Sequence, residues 1–296
     1  QRGCKALNAS GGVTSIVIDE GMARAPGFRF RTATDAYRFA GWSRTKLSCF
    51  QKLTALTSRY CRLVTAVPTQ EGNHCFVRLQ FDTGEAAGQN MVTFATAAIC
   101  NYIDEHSPVH PEAAYVEGNF SSDKKASLQS LAGVRGKKVT AEARLDAETL
   151  RDVLKCSAHE LQSYWTLGVM GAIQTGIVGI QGHYANVLAG IYTALGQDVA
   201  CVAESAVGIT RFTQEDDGIY ACVTLPNLVV GSVGGGTQLP DQARYFDLMG
   251  LPEVNRARAL AEVIGAVCLA GELSIAASLA AGSFADAHRC LGRKAS

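Results

Sequence analysis

The chain has 296 residues, enough for about two domains at ~150 residues each. Hydrophobic residues make up 47% and charged residues 18%, which excludes a disordered chain and supplies a sizeable core. Lys plus Arg total 27 and Asp plus Glu total 27, so the basic excess of a duplex-binding protein is absent.

Glycine is high at 30 and proline low at 7, a balance that suits tight turns and close backbone approach to ligands over flexible linkers. The ten cysteines are dispersed, with no C-x-x-C spacing. In a long chain with a large core they read as reduced, buried small hydrophobes of a cytoplasmic protein.

In chain order, "RGCKALNASGG" leads to "VTSIVI", a β-branched strand, and the turn "DEG". "TDAYRFAGWSRTKLSCFQKLTAL" is charged and helical. "HCFVRLQF" alternates like a half-buried strand. The glycine turn "TGEAAGQN" follows, then a long helix over "MVTFATAAICNYIDEH" with one apolar face. Strand, glycine turn and helix together present backbone N–H groups to an anion.

Beyond Pro111 the polar stretch "VEGNFSSDKK" opens a more apolar remainder. "DAETLRDVLKCSAHELQSYW" predicts one helix, with Asp146 as N-cap and Glu148 in its first turn. "GVMGAIQTGIVGIQGHYANVLAGIYTALGQD" predicts a buried helix pair or one broken helix, and "GIYACVTLPNLVVGSVGGG" predicts strands closing on a triple-glycine turn. A long Ala-rich helix is expected from Glu253 to Cys290. Its most apolar part, Val263 to Ala281, is interrupted by Glu272 and dominated by Gly and Ala, so it reads as a tightly packed core helix and not a membrane span. The start at Gln1, inside a Gly-rich segment, reads as a fragment of a longer chain. The composition break predicts a polar domain of residues 27–115 inserted into an apolar one of 1–26 and 116–296.

Several residues have the chemistry of a site, each with a plainer alternative. Arg24 in "GMARAP" follows a glycine turn, or is a boundary surface arginine. Ser58 and Arg59 form a hydroxyl–guanidinium pair suited to a phosphate, or are solvated. Asp123, Lys124 and Lys125 form either a solvated charge cluster or an aspartate-fixed lysine that stabilises an oxyanion. His183 and Asn186 lie one turn apart on a helix, and Asp198 closes that stretch. Gly234, Gly235 and Gly236 before Thr237 let a cofactor approach the backbone, or simply make a tight turn. His288 near the C-terminus is an exposed tail residue or a proton donor to a leaving group.

Taken in order, "RGCKALNASGG", "GMARAP", "TSRYCRL", "TGEAAGQNM", "GNFSSDKK", "HYAN…GQD", "VGSVGGGTQLP" and "LAGELSIAASLAAG…H" closely resemble the class I hydroxymethylglutaryl-CoA (HMG-CoA) reductases, over nearly the whole chain. The "DKK" loop points to class I. The resemblance implies an α+β fold, with a large helical substrate-binding domain and a small inserted ferredoxin-like cofactor domain. It implies NADPH-dependent reduction of HMG-CoA to mevalonate and CoA, in a homodimer that shares its active sites.

By the same resemblance Lys124, Asp198 and His288 are catalytic, and Arg24, Asp123, Lys125 and Asn186 bind substrate. Ser58 and Arg59 hold the 2′-phosphate of NADPH; Glu85, Gly88, Asn90 and Met91 form a cofactor loop, and Gly234, Gly235, Gly236 and Thr237 a glycine turn beside it. The family's catalytic glutamate is expected upstream of Gln1. Departures are Glu117 for a serine, Glu85 for an aspartate, Ala87 and Gln89 for two methionines, Ala126 for a proline, and one residue fewer near Gln181. A catalytically inactive CoA- or nucleotide-binding homologue, disabled by Glu117, is the alternative; retention of Lys124, Asp198 and His288 together opposes it. A purely structural dimer module would leave Ser58 and Arg59 unexplained.

Overall fold

The computed structural model describes residues 1–285 and 289. After helix α1 (Arg2–Ala9) come β1 (Thr14–Arg24), β2 (Gly27–Arg29), α2 (Ala33–Arg44), α3 (Leu47–Thr57), β3 (Arg62–Glu71), β4 (His74–Asp82), α4 (Gln89–His106) and β5 (Ala113–Tyr115). The remainder carries α5 (Leu128–Ala132), β6 (Gly136–Leu145), α6 (Ala147–Thr149), α7 (Ala158–Thr175), α8 (Tyr184–Ala194), α9 (Val202–Ser205), β7 (Ile209–Glu215), β8 (Gly218–Leu228), α10 (Pro240–Leu248) and α11 (Arg256–Ala280).

The strands form one mixed-order antiparallel sheet, β5-β2-β4-β1-β6-β8-β7, with β3 on the other side of β4. The junction is β1. Thr14 to Gly21 pair with β6, whereas Met22 to Arg24 pair with β4. After the Ala25–Pro26 interruption β2 continues along β4, Gly27 opposite Phe76. One run of chain therefore stitches the two halves together and delivers Arg24 to their seam.

Strict alternation of buried and half-exposed residues along β4 and β6 gives each strand one core face. Beside β4, the rings of Phe28 and Phe30 each lie 4.9 Å, centroid to centroid, from the ring of Phe39 and tilted against it, in one buried cluster with Val77, Leu79 and Phe81. Truncating such a buried phenylalanine typically costs ~3–5 kcal/mol. Across the seam, α11 buries Leu260, Ile264, Cys268, Leu269 and Leu273 in the core. By length and composition this is the one helix among the described residues apolar enough to cross a membrane, but it is packed on α1, α7, α8 and three strands. That matches the expected core helix in kind, but it spans Arg256–Ala280 where Glu253 to Cys290 was expected, since the chain turns at Gly282, φ 66°. The nine described cysteines are free, most of them buried.

Two helix expectations need correction. The single helix expected from Asp146 is broken. Asp146 does cap, accepting from the Thr149 N–H at 2.7 Å. The chain then widens into a π turn over Leu150–Leu154 and reverses at Lys155, φ 63°. A new helix starts at a capping box, Ser157 with Glu160. The next pair is α7 and α8 separated by a loop, but it is not buried throughout: Leu167 is 73% and Ile173 67% exposed.

Candidate active site

A cleft of about 540 Å³ opens between the α3 and α4 termini and the loops that carry Lys124, Asp198 and Gly234. One wall is the glycine turn and first helical turn of α4: Gly88, Gln89, Asn90 and Met91. Gly88 takes φ 84° as the N-cap, with no acidic residue in the first turn, so the free N–H groups of an 18-residue helix face the cleft uncompensated. Ser58, the residue that ends α3, lines the same space. The opposite wall is Gly234, Gly235 and Thr237, and the floor carries Lys124 and Asp198.

Lys124 is the only cation and Asp198 the only anion among the described residues lining the cleft. Lys124 Nζ lies 2.9 Å from Asp198 Oδ2. The hydrogen bond and charge of Asp198 hold the Lys124 ammonium above its ordinary pKa against some desolvation. Partial burial alone would raise the Asp198 carboxyl, but Lys124, the Ala200 N–H at 3.1 Å and Gln89 pull it below the usual carboxylate range. The lysine is thus charged, aimed and still reachable from solvent.

Beneath the pair runs a chain of buried charges. Arg24, at the end of β1, donates to Asp123 (3.0 Å) and Glu117 (3.3 Å) through one nitrogen, and to Thr93 (2.9 Å) and the Gln89 carbonyl (3.3 Å) through the other. Asp123 also accepts from Arg135 at 2.6 Å, and Arg135 pairs with Glu204. Arg135 is 1% and Glu204 0% exposed. Burial pushes the Glu204 carboxyl up, against the pull of Arg135. Losing either member would strand the other charge, at a cost of roughly 3–5 kcal/mol. Glu204 also accepts the Lys124 main-chain N–H at 3.0 Å. Lys124 sits at φ 57° in a loop where Asn119 and Ser122 are also left-handed, each conformation costing ~1–2 kcal/mol.

The structure therefore gathers Ser58, Gly88, Asn90, Met91, Lys124, Asp198 and Gly235 around one cleft, with Arg24 and Asp123 directly behind it. Other expected site residues are placed apart. Arg59 stacks on the Tyr60 ring, 4.6 Å from its centroid, in an exposed position next to Ser58. The Glu85 carboxylate accepts from Ser232 Oγ and from the Ala257 N–H at the start of α11, so it bolts its own loop to the core. Gly236 does not line the cleft itself but packs closely against Gly196, which does. Lys125 is exposed and donates to the Asp123 carbonyl at 3.0 Å. Asn186 stands exposed on the first turn of α8, 3.0 Å from His183 Nδ1, which burial pushes below its ordinary pKa. His288 lies outside the described residues.

Sequence reasoning missed Arg135 and Glu204, which belong to no motif and meet across 69 residues. It also missed the reach of Gln89, whose amide donates to Cys201 Sγ at 3.0 Å and Asp198 at 3.4 Å. Its place in the first turn of α4, right after the Gly88 turn, was the available signal.

A sequence model of the family described as hydroxymethylglutaryl-coenzyme A reductase matches residues 1–293. The 3-hydroxy-3-methylglutaryl-coenzyme A reductase of Aeropyrum pernix is 38% identical over 99% of this chain and 71% of its own length. The corresponding protein of Methanocaldococcus jannaschii is 36% identical over 99% of this chain and 73% of its own. That of Aspergillus terreus is 37% identical over 99% of this chain and 29% of its own. Among solved structures, the class II 3-hydroxy-3-methylglutaryl-CoA reductase from Streptococcus pneumoniae bound to NADPH superposes with a TM-score of 0.73 at 19% identity, covering 94% of this chain and 76% of that one. On the strength of the family match and of relatives aligned end to end with it, this chain belongs to the hydroxymethylglutaryl-coenzyme A reductase family.

Proposed function

We propose that the protein reduces HMG-CoA to mevalonate, consuming two NADPH and two protons and releasing CoA. The observation that carries it is the Lys124–Asp198 pair on the floor of a cleft walled by a helix N-terminus and a glycine turn. The cleft fits a dinucleotide: its volume is adequate, its backbone donors face inward, and the one carboxylate among the described residues lining it is already paired. NADPH supplies the hydride in each of two reductions.

The residues do the rest. Lys124 donates to the oxygen that gains charge when the thioester carbon is reduced; a donor in that role is worth roughly 3–4 kcal/mol of barrier. Asp198 keeps that lysine protonated and oriented. Arg24 and Asp123, directly behind the cleft, hold the hydroxymethylglutaryl group; Lys125 and Asn186, which stand outside the cleft, are assigned to it by the family resemblance alone. His288 protonates the departing thiolate, which prevents its return to the aldehyde. Ser58 and Arg59 select the 2′-phosphate, and Gly88, Asn90, Met91, Gly235 and Gly236 admit the dinucleotide, with Glu85 fixing their loop.

The class I assignment rests on the "DKK" loop and on archaeal and fungal relatives. Residues 27–115 are read as the inserted ferredoxin-like domain, supported by the order β2-α2-α3-β3-β4-α4-β5 and strand neighbours β5-β2-β4-β3, with residues 1–26 and 116–296 forming the substrate domain. That second part pairs its helices with a four-stranded antiparallel layer, β1-β6-β8-β7. A homodimer with shared sites is supported by the exposed apolar Leu167, Met170, Ile173 and Ile177 on and after α7. Free thiols suit a reducing, cytoplasmic compartment. Adding HMG-CoA to the full-length protein should deplete NADPH; a protein that binds both and depletes none would be the inactive homologue.

A further inference from the structure

Lys124 is held at both ends by one short segment. Asp198 caps the turn that leads into α9 and takes the side-chain Nζ at 2.9 Å, while Glu204 within α9 takes the main-chain N–H at 3.0 Å. Left-handed backbone at a lysine needs such a restraint, because nothing in the side chain favours it. Glu204 does not line the cleft, and its Oε1 serves both Lys124 and Arg135. Arg135 in turn fixes Asp123, the residue before Lys124, at 2.6 Å and reaches the Ala23 carbonyl beside Arg24.

Given the reductase chemistry assigned to Lys124, we propose that Glu204 is a positioning residue: its carboxylate oxygen fixes the Lys124 backbone so that the ammonium meets Asp198 and the reacting oxygen together. Arg135 is the counter-charge that allows a carboxylate to stand there. A restraint of this kind acts on the chemical step and leaves the dinucleotide walls untouched.

The test compares two double variants in the full-length protein. Glu204→Gln with Arg135→Met removes both buried charges and keeps an oxygen acceptor for the Lys124 N–H. Glu204→Leu with Arg135→Met also removes both charges, a replacement that buried ion pairs often tolerate, but keeps no acceptor. Both lose the Arg135 contact to Asp123, so their ratio isolates the acceptor.

The Gln pair should exceed the Leu pair in kcat by on the order of 10–100-fold, the loss expected of a small misplacement at the reacting centre. The KM for NADPH should be the same in both. Equal kcat in two folded variants overturns the proposal, as does a parallel rise in KM for NADPH. Should the Leu pair not fold, amide exchange on the wild-type protein decides: a protected Lys124 amide supports the restraint, and one exchanging like an open loop overturns it. A wild-type protein that never turns over HMG-CoA would instead remove the catalytic reading, whatever the exchange result.

Discussion

Lys124 and Asp198 are paired at 2.9 Å, yet each side chain is 39% exposed. An ion pair so open to solvent contributes at most ~1 kcal/mol to folding. Its value is chemical. Asp198→Asn should therefore lower kcat by on the order of 10²-fold, typical of a lost oxyanion contact, while the midpoint of unfolding barely moves. The sign of the pH effect follows from the pair. Asp198 raises the Lys124 pKa, so the lysine stays charged to higher pH. In Asp198→Asn the alkaline limb of the kcat profile should move to lower pH. An unmoved limb would mean that another group sets it.

Glu117 takes up part of the Arg24 guanidinium, the group proposed to hold the substrate. It accepts from Arg24 at 3.3 Å and from Ser121 Oγ at 2.7 Å, sharing one Arg24 nitrogen with Asp123. A substrate carboxylate drawn to Arg24 competes with it, and like charges ~4 Å apart repel by ~1 kcal/mol even at the dielectric of water. Glu117→Ser should lower the KM for HMG-CoA several-fold with little change for NADPH. An unchanged KM would show that the acyl group binds elsewhere.

Arg59 projects from the end of α3 beside Ser58, with its guanidinium over Tyr60. Its planar fork suits a phosphate. Arg59→Ala should raise the KM for NADPH about tenfold, as one lost charge-assisted contact does, and leave NADH nearly unchanged. Equal loss for both would place Arg59 away from the 2′-phosphate.

Gly231 is where the loop over Glu85, Ala86 and Ala87 meets the core. A Cβ there would come within 2.4 Å of the Ala87 main-chain nitrogen. Next to it Ser232 N–H donates to the Glu85 carbonyl at 2.8 Å, and Ala86 bridges to Val233. Gly231→Ala should destabilise the protein by ~1–3 kcal/mol through overpacking and weaken NADPH binding more than HMG-CoA binding, seen by denaturant unfolding and fluorescence titration. Wild-type affinity for NADPH would mean that the loop has freedom to move aside.

Much of this was legible from local signals. Alternation found β4, the apolar face found α4, and Asp146 marked a helix start that the structure keeps. The second start at Ser157 and Glu160 was also written in the sequence as a capping box, but continuous apolar periodicity masked it. The double pairing of β1 was not legible, since register across a seam depends on partners 55 to 128 residues away. The same limit hid Arg135 and Glu204, two charges whose burial only makes sense once they meet. Glu85 shows the converse: a residue found by motif whose carboxylate is spent on the core.

The reaction proposed is a four-electron reduction centred on Lys124. Its most direct measurement is the stoichiometry of a single assay of the full-length protein, NADPH consumed against free thiol released from HMG-CoA. Two NADPH per thiol, with turnover abolished in Lys124→Ala while NADPH still binds, is the predicted result. One NADPH per thiol with free aldehyde accumulating, or full turnover in Lys124→Ala, would contradict it.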